Sequence, residues 1–213
     1  ALDKAGVESE FINGLRVTTK PAMDIVKKVL GTQINNEIVK LIKQFGGNAI
    51  SFNPNRFQII RASKEISEKG RDLGQVGKVE KILTSELKRR INKGFIPVIA
   101  PIGISNKNNY LNINADVVAG EVAQSLKAEK LILLTDVKGI GDSENKLISK
   151  ISLQMGQKIL KETFIKGGMT PKLTAALEAK KRGVKSCHII DGRVPHAVLL
   201  EVLTEEGVGT MIS

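Results

Sequence analysis

The 213-residue sequence contains no tryptophan, one tyrosine and one cysteine, and aromatic residues make up 3% of it. Its core must therefore be built mainly from leucine, isoleucine and valine. A single cysteine excludes an internal disulfide and is compatible with a reducing compartment. Because Cys187 falls in an apolar, strand-like run, we expect it to be a buried structural thiol and not a nucleophile.

No apolar run approaches the roughly 20 residues that a membrane-spanning helix needs, so no membrane partner is expected. The sequence opens with Ala1-Leu-Asp-Lys, which is neither an initiator methionine nor a signal-like apolar segment. We interpret this opening as the interior of a longer protein that has lost its N-terminal segment. Two compartments stay open, a bacterial cytoplasm and a plastid stroma.

The formal net charge of +11 raises the question of an anionic partner. Lysines and arginines alternate with acidic residues along the chain, and no block of five or six like charges occurs. Few aromatic side chains are available to stack on bases. Nucleic-acid binding is therefore disfavoured, although it stays one alternative.

Helix and strand patterns alternate from residue 84 to the end of the chain. Strands such as residues 130–135 are almost continuously apolar, which is typical of a parallel sheet that is covered on both faces. We predict an α/β fold, a three-layer αβα sandwich around a mainly parallel central sheet, in one domain over residues 1–213.

Several local features refine this prediction. Helical spacing over residues 25–42 is interrupted at Gly31, and glycines and a proline in residues 53–80 favour a β-hairpin excursion. We expect three later helices to begin at Thr84, as N-cap, and at Pro171 and Pro195.

Polar groups gather first at residues 112–116 (NINAD), where a short strand gives way to a helix. Asn114 suits the N-cap position, and Asp116 in the first turn suits the positive end of the helix dipole. These residues either cap the helix only, or place the Asn112 and Asn114 amides on a ligand.

Two further segments also place polar groups where a strand ends or a helix begins. Thr135 and Asp136 end an apolar strand, and Lys138 and Gly139 follow; this is either a simple turn or a nucleotide site in which Lys138 reaches a phosphate. The sequence has neither the GxGxxG nor the GxxxxGK[ST] spacing. Residues 167–172 (GGMTPK) place Gly167 and Gly168 before a helix that carries Lys172, an arrangement that favours anions.

Neither histidine indicates a metal or a catalytic triad. His188 lies inside an apolar strand and is expected to be a core residue, whereas His196 either caps a helix or meets a ligand. No spacing of His, Cys and Asp resembles a zinc site, and GxSxG is missing. We therefore predict no protein-held metal.

The three polar segments, in this order, resemble the amino acid kinase family, and within it the members that phosphorylate N-acetyl-L-glutamate. Residues 10–18 (EFINGLRVT), 98–103 (VIAPIG), 188–196 (HIIDGRVPH) and 206–212 (EGVGTMI) extend the resemblance over nearly the whole chain. Residues 51–57 depart from the family, which usually has a Gly-Lys-Asp-Gly-like turn there. The family's opening lysine-glycine strand and its His-Gly-Gly-Gly turn do not occur in residues 1–213.

The resemblance implies ATP-dependent phosphorylation of the side-chain carboxylate of N-acetyl-L-glutamate, a step of arginine biosynthesis, with Mg²⁺ bridging the phosphates. It implies that Arg16 binds the substrate's α-carboxylate and that Asn112, with Asn114 beside it, binds the acetylated substrate. It makes Lys172 the residue that stabilises the transferring phosphoryl group and Asp116 the residue that positions the catalytic lysines. The ATP side would consist of Thr135, Asp136, Lys138, Gly139, Gly167, Gly168 and Met169.

The resemblance also implies a homo-oligomer, either dimer or hexamer, and feedback regulation by L-arginine through His196 and Glu206. Because the family's opening motifs are missing, we expect residues 1–213 alone to bind ATP weakly and to turn over slowly. The alternatives are a related amino acid or carbamate kinase, a non-catalytic binding or assembly module, and the nucleic-acid binder considered above.

Overall fold

The structure, a computed structural model, describes residues 1–7, 10–12, 15–67, 70–144, 146–162, 165, 167–204 and 207–213. Its contacts divide the chain into two compact units, Ala1–Val118 and Ala119–Ser213. Both units combine helices with strands, so the predicted α/β class is confirmed; the sheets are mixed. The single-domain interpretation stays a prediction. No helix within the described ranges is both long and apolar enough to cross a membrane.

The first unit begins with a short 3₁₀ helix, Asp3–Ala5, followed by an antiparallel strand pair and two helices. A π-helical turn, Val29–Ile34, joins these helices at the position where the sequence predicted an interruption, and Gly31 is buried within it. A Cβ atom on Gly31 would stand 3.1 Å from Ile102 Cδ1, so close packing favours glycine here. The elements of this unit are β1 (Phe11–Ile12), β2 (Leu15–Arg16), α1 (Lys20–Lys28), α2 (Asn35–Gln44), β3 (Ala49–Phe52), β4 (Ile60–Ile66), β5 (Asp72–Ile82), α3 (Thr84–Ile91), β6 (Ile96–Ile99), β7 (Ile102–Ile104), β8 (Tyr110–Asn112) and the start of α4 (Ala115–Leu126).

The predicted β-hairpin is confirmed as the antiparallel pair β4–β5, which closes into a small barrel with β8 and β7. The barrel interior is so narrow that glycine is needed on two of its strands. A Cβ on Gly77 would stand 2.7 Å from Leu111 Cβ, and one on Gly103 would stand 2.7 Å from Ala62 Cβ. Strands β3 and β6 pair separately and in parallel.

The second unit is built on a four-stranded sheet in the order β10-β12-β11-β9. Strands β9 and β11 are parallel, as are β10 and β12, whereas β11 and β12 run antiparallel. Helix α6 packs against β9 and β11, and Leu133, Leu173 and Ile189 belong to the buried cluster between them. The elements are β9 (Lys130–Thr135), β10 (Lys150–Ile151), α5 (Leu153–Ile159), α6 (Met169–Lys181), β11 (Ser186–Asp191), α7 (Ala197–Leu203) and β12 (Gly209–Ile212).

Of the three predicted helix starts, the one at Thr84 is confirmed although its N-cap role is wrong, and the starts at Pro171 and Pro195 are wrong. Helix α3 includes Thr84 itself, and Leu83 holds the cap position without a side-chain hydrogen bond. Helix α6 begins before Pro171, which the first turn of a helix tolerates. Helix α7 begins only after His196, because His196 has a φ of 59° and so lies in the left-handed region.

Candidate functional site

A cavity of about 250 Å³ in the first unit brings together two of the predicted site residues, Arg16 and Asn112. Arg16 ends β2 and Asn112 ends β8. Aliphatic side chains and the N-terminal residues of the chain complete the lining of this cavity, which is here named the Arg16 cavity. The full lining is Ala1, Leu2, Asp3, Arg16, Ile25, Val26, Val29, Leu30 and Asn112.

A buried threonine that the sequence did not single out links these two polar residues. Asn112 Nδ2 donates to Thr18 Oγ1 at 3.1 Å, and Thr18 Oγ1 donates to the backbone oxygen of Arg16 at 2.8 Å. Thr18 is fully buried. Thr18 is the last residue of the motif at residues 10–18 that carried the resemblance. Its place in that motif is the sequence feature by which it could have been identified.

Asn114 is confirmed as the N-cap of α4. Its Oδ1 accepts hydrogen bonds from the backbone nitrogens of Asp116 at 2.8 Å and Val117 at 3.2 Å. The oxygen is therefore committed to the helix, and only the amide nitrogen of Asn114 is left for a ligand. Asp116 lies in the first turn, where the helix dipole favours a carboxylate. The ligand-directed roles of Asn114 and Asp116 stay predictions.

A larger cavity of about 550 Å³ in the second unit, named here the Lys138 cavity, gathers Asp136, Lys138, Gly139 and Met169 from the predicted nucleotide set. Thr135, Gly167 and Gly168 are not among its lining residues. Besides the predicted residues it is lined by Val137, Gly141, Asp142, Ser143, Leu147, Ile165 and Arg193.

Gly139 shapes this cavity through its backbone. Its φ of 144° is unfavourable for other residues, and a Cβ there would stand 2.7 Å from Leu147 Cδ1 and 2.8 Å from Thr210 Oγ1. The next backbone nitrogen, that of Ile140, donates to Thr210 Oγ1 at 2.8 Å. The segment after β9 is thus anchored on β12.

Asp191 and Arg193 form a second charged feature at the carboxyl ends of β9 and β11, where Asp191 pairs in register with Thr135. Hydrogen bonds from the Arg193 side chain, and to a smaller extent from its backbone N–H, lower the pKa of the Asp191 carboxyl to about 2. Lys138 lowers this pKa further, and Asp191 in turn raises the pKa of Arg193. Sequence reasoning missed both residues, although they lie in the HIIDGRVPH motif.

Lys172 lies on the fourth residue of α6 and is half-buried. Gly167, with a φ of 57°, and Gly168, at the cap position, precede the helix as predicted. A Cβ on either glycine would meet no atom within 4 Å, so packing in the described part of the chain does not require glycine at Gly168. The phosphoryl-stabilising role of Lys172 stays a prediction.

His188 is a buried core residue, as predicted. Its Nδ1 lies 2.6 Å from Glu201 Oε1 and its Nε2 lies 2.8 Å from Ser186 Oγ, while Glu201 Oε2 accepts from the Val208 nitrogen at 2.7 Å. Cys187 is buried as well, and burial raises the pKa of its thiol to about 11.

His196, by contrast, is exposed; it holds the N-cap position of α7, but its side chain makes no capping hydrogen bond. The predicted partner in regulation, Glu206, lies outside the described residues. Within the described residues no group of three or more His, Cys, Asp or Glu side chains is placed to hold a metal ion.

Comparison with known proteins identifies the family of this chain. The model of the amino acid kinase family matches residues 1–191. The acetylglutamate kinase of Nitrosomonas eutropha is 48% identical over 99% of this chain, which spans 74% of that protein. The acetylglutamate kinase of Methanocaldococcus jannaschii is 46% identical over the whole chain, which spans 75% of that protein.

A solved structure supports the fold. The N-acetylglutamate synthase of Neisseria gonorrhoeae, in complex with coenzyme A and N-acetyl-glutamate, superposes with a TM-score of 0.89 at 25% identity. The match covers 99% of this chain and 48% of the synthase chain.

Proposed function

Because the chain belongs to the amino acid kinase family, we propose that it transfers the γ-phosphoryl group of ATP to the side-chain carboxylate of N-acetyl-L-glutamate. The products are N-acetylglutamyl 5-phosphate and ADP. The observation that carries the proposal is the joint presence of Arg16 and Asn112 in one small cavity with an aliphatic wall.

The Arg16 cavity has the chemistry of an acylated amino acid. The planar guanidinium of Arg16 matches the two oxygens of an α-carboxylate, and the Asn112 amide matches the acetamido group. Ile25, Val26 and Leu30 offer apolar contact to the acetyl methyl group and the methylenes of the substrate. At about 250 Å³ the cavity suits a small metabolite better than a nucleotide.

The Lys138 cavity is the proposed ATP site. Its volume of about 550 Å³ lies within the range of ordinary ligand pockets. Lys138 and Arg193 supply positive charge for the phosphates, and Met169 and Val137 supply apolar surface for the base. Mg²⁺ fits such a site without a protein cage, since it is usually held by nucleotide phosphates, waters and one or two carboxylates. Asp136 and Asp142 are the carboxylates that line this cavity.

The proposed reaction needs charge neutralisation more than proton transfer. A carboxylate oxygen attacks the γ-phosphorus, an oxygen–phosphorus bond forms, and the bond to the β-phosphate oxygen breaks. The attacking carboxylate is already ionised at neutral pH, so no general base is required. Two anions must approach each other, and Lys172 would stabilise the charge on the transferring group. Asp116 would keep the cations of the site in place.

Trapping of the acyl phosphate tests the proposal. Hydroxylamine converts N-acetylglutamyl phosphate into a hydroxamate, which should form only when ATP and N-acetyl-L-glutamate are both present. Arg16→Met should raise the KM for N-acetyl-L-glutamate. Arg71→Met should not raise it, since Arg71 is an exposed arginine of the same unit that pairs with Glu10. Faster phosphorylation of carbamate or of an unacetylated amino acid would favour a related kinase. Ligand binding without turnover would favour a binding module.

Regulation and assembly belong to the same proposal. L-Arginine is the proposed effector, with His196 as a contact, and isothermal titration with no saturable heat at millimolar arginine would contradict it. Homo-oligomer formation is supported by an exposed apolar stripe on the π-helical turn and α2. Ile34, Ile38, Leu41 and Phe45 form this stripe, and Phe45 is 89% exposed. Light scattering showing only monomers would contradict the oligomer.

A further inference from the structure

We propose that Thr18 fixes the amide of Asn112 with its oxygen facing the ligand, and that the Arg16 cavity therefore selects ligands that donate an N–H at this point. Thr18 is thus a positioning residue that sets specificity for a secondary amide. The inference rests on the proposed function, because it concerns the acetamido group of the same substrate.

The orientation follows from the hydrogens available in the network. A threonine hydroxyl carries one hydrogen and two lone pairs. Thr18 donates this hydrogen to the backbone oxygen of Arg16 at 2.8 Å, and a carbonyl oxygen can only accept. Toward Asn112, 3.1 Å away, the hydroxyl can therefore only accept, so Asn112 must present its NH₂ group.

Reversing this arrangement would take the Thr18 hydrogen away from the Arg16 oxygen, and the backbone contacts of Thr18 hold it in place. It is fully buried, its backbone nitrogen donates to the Leu73 oxygen at 3.1 Å, and its own backbone oxygen accepts from the Gln75 nitrogen at 2.6 Å. The backbone of Gly74 lies against it so closely that a Cβ there would stand 2.4 Å from the Thr18 oxygen. A flipped Asn112 would set its oxygen against the hydroxyl oxygen with no hydrogen between them.

The Asn112 oxygen is consequently the atom left for a ligand. No hydrogen bond from a residue of the described ranges reaches Asn112 Oδ1, and Asn112 lines the cavity beside Arg16. A ligand oxygen at this place would meet a second acceptor, whereas an amide N–H would complete the hydrogen bond. A single buried hydroxyl thereby decides between two ligands of nearly the same shape.

Calorimetric titration with two such ligands tests the inference. The probes are N-acetyl-L-glutamate and its ester analogue (S)-2-acetoxyglutarate, in which oxygen replaces the N–H. The wild-type chain should bind the amide about tenfold or more tightly than the ester, the equivalent of one good hydrogen bond. Thr18→Val should reduce this preference to about threefold or less, because the Asn112 amide can then rotate, and Thr18→Ser should restore it.

Ser51→Ala is the matched control. Ser51 is a buried hydroxyl of the same unit that also accepts from an asparagine amide, Asn53 Nδ2 at 2.8 Å, and it does not line the cavity. Its loss should leave the amide-to-ester ratio unchanged, so an equal fall of the ratio in this variant would overturn the inference.

The remaining outcomes separate the inference from the proposed function. Binding of amide and ester with equal affinity by the wild-type chain overturns the inference alone, and this measurement decides even if Thr18→Val does not fold. An unchanged ratio in folded Thr18→Val overturns it as well. Binding of neither ligand overturns the proposed function, and the inference with it.

Discussion

The guanidinium of Arg193 donates two hydrogen bonds to the carboxylate of Asp191, from Nε at 2.9 Å and from Nη2 at 2.8 Å. Arg193 remains largely exposed while Asp191 is buried. An arginine has five N–H donors, so this pair orients the guanidinium and leaves its other donors available at the Lys138 cavity. The first prediction concerns those donors.

Replacement of Arg193 by Met should weaken binding of a non-hydrolysable ATP analogue by about tenfold, the usual cost of one charge-assisted hydrogen bond. Calorimetric titration measures this directly. Arg182→Met removes an exposed arginine of the same unit that pairs with Glu121 and Glu178, and it should leave the affinity unchanged. Equal weakening in both variants would show that only general positive charge matters.

Asp191 should make folding stability depend on acid pH. The pKa of this carboxyl is about 2 in the folded chain, against an ordinary value of about 3.9 when unfolded. The stabilisation is therefore complete above about pH 4 and is lost as pH falls towards 2. Urea unfolding between pH 5 and 3 should show wild type losing stability relative to Asp191→Asn, and a constant difference would contradict the assigned pKa.

Lys172 should affect turnover far more than binding. Lys172→Met should lower kcat by at least about a hundredfold, because it removes a charge directed at the transition state, while the KM for either substrate changes little. Lys181→Met is the control, since Lys181 is an exposed lysine at the other end of α6. A rise in KM with normal kcat would assign Lys172 to substrate binding.

The buried pair of His188 and Glu201 should be important for stability. Glu201→Ala leaves the His188 ring and the Val208 nitrogen without their partner, and should cost about 3 kcal/mol of unfolding free energy. Glu178→Ala removes an exposed carboxylate whose ion pair is 3.6 Å long, and should cost less than about 1 kcal/mol. Urea denaturation compares the two variants.

Much of the fold could be predicted because local patterns determine it. The strand Lys130–Thr135 has the predicted bounds, since a short apolar run between polar ends has few alternatives. The start of α7 could not be predicted from Pro195, because the left-handed backbone of His196 is set by its surroundings. Strand β7, a buried Ile-Gly-Ile segment that pairs with the nearby β8 and with the distant β4, was missed because three residues are too few to show a strand pattern.

The residues of the candidate site likewise fall into those that sequence motifs identified and those that they did not. Arg16 and Asn112 could be singled out from motifs, and the structure places them in one cavity. Thr18 and Arg193 were missed because their significance depends on what each side chain contacts. Thr18 contacts Asn112, which lies 94 positions away in the sequence, and Arg193 meets Lys138 at a cavity that the paired strands create.

The π-helical turn Val29–Ile34 makes the length of the chain at this point as important as its composition. Its first two residues form part of the Arg16 cavity, and Asn35 directly after it donates to the Val98 oxygen at 2.9 Å. A π turn holds one residue more than an α-helical path between the same ends. Deletion of a single residue here would rotate the following helix by about 100°, so that a shortened chain could keep the cavity wall or the Asn35 anchor, but not both.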